Sequence, residues 1–104
     1  MIVRVWSTGF TLARLDDLVA FARSRLEPFF HNQDGCLGCF FTYDSDEWRT
    51  ISLWRDQVAV DAVKDSADYR AMLADLVGSG ILQGSQNTRV FKAAGGGVFG
   101  PLAF

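Results

Sequence analysis

The sequence predicts a ferredoxin-like α+β domain with the element order β-α-β-β-α-β and an antiparallel sheet. Three observations predict it. The chain has 104 residues, the length of one domain. Stretches rich in strand-forming residues alternate with stretches of helical periodicity in that order. Apolar residues also occur on both faces of the predicted strands, so two helices on one face leave an apolar face uncovered. A second copy of the same sheet is the simplest cover, giving a homodimer with eight strands and fewer free edges.

The elements follow in order. Residues 2–10 read as a strand, with Ile2, Val3, Val5, Trp6 and Phe10 as β-formers and Gly9 near its end. Residues 12–30 read as a helix, because Leu12, Leu15, Leu18, Val19, Phe21, Ala22, Leu26 and Phe29 recur at three- and four-residue steps. Thr11 is its expected N-cap, and Pro28 is expected to end or kink it. Asn32 to Gly35 is a turn. Residues 37–43 and 48–54 form a hairpin across the polar turn Asp44-Ser45-Asp46-Glu47. A second helical stretch starts from the cap Asp56 and runs to about Val77, restarted at Ser66 and stopped by Gly78 and Gly80. Thr88 to Lys92 is the last strand. Residues 1–94 form the domain, and 95–104 a Gly-rich tail with apolar anchors Val98, Phe99 and Leu102.

Composition narrows the function. The hydrophobic share is 49% and the charged share 21%, so some apolar surface is expected to be buried against a partner. The net charge is −2 and no Lys/Arg run occurs, which argues against nucleic-acid binding. No apolar stretch approaches the roughly 20 residues that span a bilayer, and the N-terminus lacks signal-peptide features. No membrane partner and a cytoplasmic location are expected. Cys36 and Cys39 form a C-x-x-C, but positions three apart on a strand point to opposite faces and no helix N-terminus follows. Two small apolar residues are expected there. His31, the only histidine, cannot complete a zinc site and reads as a cation at a helix C-terminus or on the surface.

The chain resembles the dimeric α/β-barrel family that includes the antibiotic biosynthesis monooxygenases. The resemblance covers residues 1 to about 94. It rests on Val3-Arg4-Val5-Trp6 in strand one and Asp34-Gly35-Cys36-Leu37-Gly38 leading into strand two. Leu53-Trp54 before the second helix and Ser66-Ala67-Asp68-Tyr69 within it complete the match. The resemblance implies a cofactor-independent monooxygenase, with no metal or flavin, oxidising a small aromatic substrate of polyketide or quinol type with O₂. The alternative is a non-catalytic dimer of the same fold that binds a small hydrophobic ligand. Trp54 stands at the position of the family's strand-three tryptophan, Thr50 where those enzymes carry an asparagine, and Val60 where they carry a tyrosine. The family's heme degraders place a tryptophan and a heme-ligating histidine on the second helix, where this chain has Val63 and Leu73, so heme degradation is not expected.

The expected catalytic residues are therefore Trp54 and Thr50. Ser52 lies between them on the same strand face, and the three would form a polar strip for a flat phenol if that face is the helix-covered one. Trp6, Tyr43, Tyr69 and Arg4 are the expected substrate contacts. Arg4 shares a face with Ile2 and Trp6, so it needs either a carboxylate or an anionic ligand; a salt bridge is the ordinary outcome.

Overall fold

The computed structural model describes all 104 residues and has the expected element order. Strand β1 (Ile2–Phe10) leads into a helical run, α1, over residues 12–31. Strands β2 (Cys36–Asp44) and β3 (Glu47–Trp54) form a hairpin. Helices α2 (Gln57–Lys64) and α3 (Ala67–Gly78) follow, then β4 (Leu82–Lys92). The sheet order is β2-β3-β1-β4, all pairs antiparallel, which is the ferredoxin-like arrangement. No helix is long and apolar enough to cross a membrane.

Alternation along β1 and β3 assigns the faces. Ile2, Arg4, Trp6, Thr8 and Phe10 are buried under the helices, as are Trp48, Thr50, Ser52 and Trp54. Val3, Val5, Ile51 and Leu53 lie on the opposite, open face and are half-buried. With Phe91 of β4, paired to Val3, they leave that face apolar along its middle.

α1 packs with Leu18, Ala22, Leu26 and Phe30, a stripe of one residue every four. In a regular α-helix such a stripe drifts around the axis by about 40° per step. The helix widens to π geometry over Ala22–Leu26, which takes up that drift and keeps the stripe on the sheet. Of the two outcomes expected of Pro28, an end or a kink, the end does not occur. The wider turn directly before it accommodates the proline ring, and the run continues to His31, which is exposed at the C-terminus. Thr11 offers no side-chain cap. Asp56 and Ser66 do cap α2 and α3, accepting from the backbone N–H of Ala59 and Tyr69. The chain restarts at Ser66 as expected.

β4 is longer than expected, because its first half, Leu82 to Asn87, is polar and carries no strand pattern. Its pairing with β1 defines it instead. The register shifts between Ser7 and Gly9, where β1 passes so close to β4 that a Cβ on Gly9 would lie 2.6 Å from the Gln83 carbonyl oxygen.

A second irregularity corrects the reading of the cysteines. β2 bulges at Leu37, so Cys36 pairs with Trp54 and Cys39 with Ser52, two residues of one face. Both cysteines therefore pack against the helix-side core. They are free thiols. Residues 93–104 contain neither helix nor strand, and Phe104 reaches the Phe40 ring, with centroids 6.5 Å apart.

Candidate functional site

The Thr50–Ser52–Trp54 strip does lie on the helix-covered face. Its polar groups, however, bond to one another along the strand. The Trp54 indole Nε1–H donates to Ser52 Oγ at 2.8 Å, and the Trp48 indole donates to Thr50 Oγ1 at 2.9 Å. Trp54 is fully buried, edge-on to Phe30 at 6.1 Å. Its one hydrogen-bond donor is already used within its own strand. Trp54 and Ser52 border neither cavity beside Arg4, whereas Thr50 reaches the inner one.

Open space lies one strand over. A cleft of about 500 Å³ lies between α2, α3 and the β1–β4 edge of the sheet. Trp6 and Arg4 of β1, Tyr69 and Leu73 of α3, and Val60 of α2 form its inner wall. Gln86 and Thr88 of β4 and Gln57 of α2 add amide and hydroxyl groups. A void of about 10 Å³, the space of one water molecule, lies behind it among Arg4, Trp6, Thr50, Phe30 and Met72. The structure thus brings together Arg4, Trp6, Tyr69 and Thr50. Tyr43, on the far edge strand β2 against Phe10, is not among them.

Arg4 is the unusual member. It is 7% exposed, and the salt bridge expected for it is absent. All five ion pairs of the chain are on the surface and none includes it. Arg4 Nη2 donates to Tyr69 Oη at 2.9 Å, and the guanidinium carbon lies 5.3 Å from the centroid of the same ring. Nη1 is buried without any partner. A buried cation without a counter-charge is costly, because no carboxylate of the chain offsets its lost hydration. Strand alternation puts Arg4 inward, and the helix start capped by Ser66 puts Tyr69 over it.

The cleft is positive although the chain is negative overall. Arg4, Lys64 and Arg70 line it against a single carboxylate, Asp61, which accepts from Gln57 Nε2 on the rim. Sequence reasoning did not single out Gln57, Lys64, Arg70, Gln86 or Thr88. The β4 residues lie in or beside a polar run whose strand pairing only the fold reveals, and the α2–α3 residues read as ordinary exposed helix positions.

The cysteines sit elsewhere, beside a cavity of about 280 Å³ with Glu27, Phe30 and His31. Burial raises both thiol pKa values. Cys39 is pushed up to about 11, chiefly by burial and then by the nearby Cys36 and Glu27. Such thiols are protonated and unreactive at neutral pH.

Residues 12–75 match the model of the antibiotic biosynthesis monooxygenase family. No curated protein sequence matches the chain. Solved structures do resemble it. A putative antibiotic biosynthesis monooxygenase from Deinococcus radiodurans superposes with TM-score 0.76 at 12% identity, covering 96% of this chain and 100% of that one. A mutant of SnoaB, a cofactor-independent oxygenase from Streptomyces nogalater, gives 0.72 at 16% identity, covering 91% and 94%. A monooxygenase from the gene ActVA-Orf6 of Streptomyces coelicolor, in complex with the ligand nanaomycin D, gives 0.74 at 17%, covering 93% and 90%. At these identities the likeness is one of fold.

Proposed function

The chain belongs to the antibiotic biosynthesis monooxygenase family, and on that premise we propose that it is a cofactor-independent monooxygenase acting on a small aromatic substrate of polyketide or quinol type. The cleft between the sheet and α2–α3 carries this reading, since it combines aromatic walls, convergent polar groups and a positive field. A flat ring enters against Trp6 and Tyr69, with Leu73 and Val60 keeping water from its faces. The field of Arg4, Lys64 and Arg70 favours the ionised form of a phenol or enol. An electron-rich ring anion of that kind passes an electron to O₂, and the two radicals combine to a peroxide. Loss of water from the peroxide leaves one oxygen atom on the substrate as a carbonyl and removes the other with the two hydrogens of the oxidised carbon. The protein binds the ring, stabilises its anion and excludes water. Ser52 and Thr50 stand beside Arg4 and Trp6 as their cross-strand neighbours on the helix-covered face. The functional unit is a homodimer joined through the open sheet face, where Val3, Val5, Ile51, Leu53 and Phe91 form an apolar surface.

One observation favours the non-catalytic alternative. Asp61 is the only carboxylate of the cleft and it is exposed, so no buried general base is available to take the substrate's proton. O₂ uptake with a panel of anthrone- and quinol-type compounds separates the two. Stoichiometric O₂ consumption that the protein accelerates at least a hundredfold is expected. Tight binding without uptake by any compound supports the ligand-binding reading instead.

A further inference from the structure

We infer that the Arg4–Tyr69 pair is an anion-binding site and that the cleft takes an aromatic carboxylate, with the carboxylate held at the Arg4 guanidinium and the Tyr69 hydroxyl. The inference rests on the cleft being the ligand site and does not require that the ligand be oxidised. Three observations carry it. Arg4 is more than nine-tenths buried, lines the cleft, and has an Nη1 with no partner. Tyr69 accepts from Arg4 Nη2 and has no acceptor for its own proton, so its O–H is free to donate. Two donors therefore stand on one pair of side chains with no acceptor of the chain to take from them. A neutral ligand carbonyl can accept from these donors but leaves the guanidinium charge uncompensated, whereas a carboxylate accepts from both and also neutralises it.

The surroundings agree with this reading. Lys64 and Arg70 add positive charge at the mouth, so an anion is drawn in and a cation repelled. Trp6 and the Tyr69 ring supply flat apolar surface beside the donors, which fits a carboxylate attached to a planar ring. An arginine used only for packing would pair with a carboxylate of its own chain, and Asp61, the one candidate lining the cleft, hydrogen-bonds Gln57 instead.

Isothermal titration with 2-naphthoate and its neutral isostere 2-naphthamide tests the inference without reference to turnover. At low ionic strength the naphthoate is expected to bind at least tenfold more tightly. Arg4→Met is expected to weaken naphthoate at least tenfold and naphthamide by a smaller factor, which lowers the naphthoate-to-naphthamide ratio. Tyr69→Phe, which keeps the ring, is expected to weaken naphthoate several-fold, and circular dichroism establishes that each variant is folded. Should Arg4→Met fail to fold, the naphthoate-to-naphthamide ratio of the parent and the Tyr69→Phe result still decide. Equal affinities for the two compounds, no naphthoate binding up to millimolar concentration, or naphthoate binding unaffected by both variants overturns the inference. O₂ uptake with neutral quinols but no carboxylate preference sinks the anion site and leaves the oxygenase reading standing. Carboxylate preference without uptake does the reverse.

Discussion

Trp54→Phe is expected to damage stability rather than the ligand site. Trp54 is fully buried and its Nε1 donates to Ser52 Oγ at 2.8 Å, while no cavity beside Arg4 reaches it. The substitution deletes that bond and leaves the buried Ser52 hydroxyl without its donor, which together cost about 2 kcal/mol. It also leaves a cavity of roughly 40 Å³, which at about 24 cal/mol per Å³ adds about 1 kcal/mol. A loss of about 3 kcal/mol lowers the melting temperature of a domain this size by roughly 12–24 °C. Ser52→Ala strands the indole N–H instead and is expected to cost about 1–3 kcal/mol. The double variant removes both partners and is expected to cost less than the two single losses added together. Thermal unfolding followed by circular dichroism, with ligand titration of the same variants below their melting range, checks each value. A Trp54→Phe variant that melts like the parent while losing tenfold or more in affinity or turnover would falsify the reasoning, since Trp54 must then touch the ligand.

Three further expectations are independent of that one. Light scattering at micromolar concentration should give twice 11.5 kDa, and truncation after Ala94 should weaken the dimer if Val98, Phe99 and Leu102 pack on the partner; a monomer mass counts against the open-face interface. Native Cys39, with its pKa near 11, should alkylate at pH 8 at least tenfold more slowly than in denaturant, read by mass spectrometry. Because folding raises that pKa, the contribution of the protonated thiol is complete below the unfolded value near 9 and is lost as pH rises towards 11, so Cys39→Ala should flatten the stability decline in that range. Hemin titration should give no strong Soret shift, since the family resemblance sets Val63 and Leu73 against the heme degraders' tryptophan and axial histidine; a sharp Soret band with ring cleavage on reduction would sink that expectation.

Much of the fold was legible because its signals are local. Period-two runs around Val5 and Leu53, the break at Ser66 and the polar turn at Asp44 each identify an element without reference to the rest of the chain. The same alternation placed Arg4 with Trp6, and Thr50 with Ser52 and Trp54, on common faces. Where local signals were weak, the reading fell short. The first half of β4 is polar and owes its extension to pairing with β1. The bulge at Leu37, which turns Cys36 and Cys39 to one side, depends on β3 as a template.

The site divides along the same line. Sequence by itself determined the family and that Arg4 shares a face with Ile2 and Trp6, while the fold decided that this face is the helix-covered one. Only the tertiary structure decided that none of the chain's own carboxylates meets it, that Tyr69 does, and that the indoles of β3 bond within their own strand. Periodicity records which side of an element a residue faces. It carries no information about which residues of other elements arrive opposite, because packing across the whole chain decides that contact.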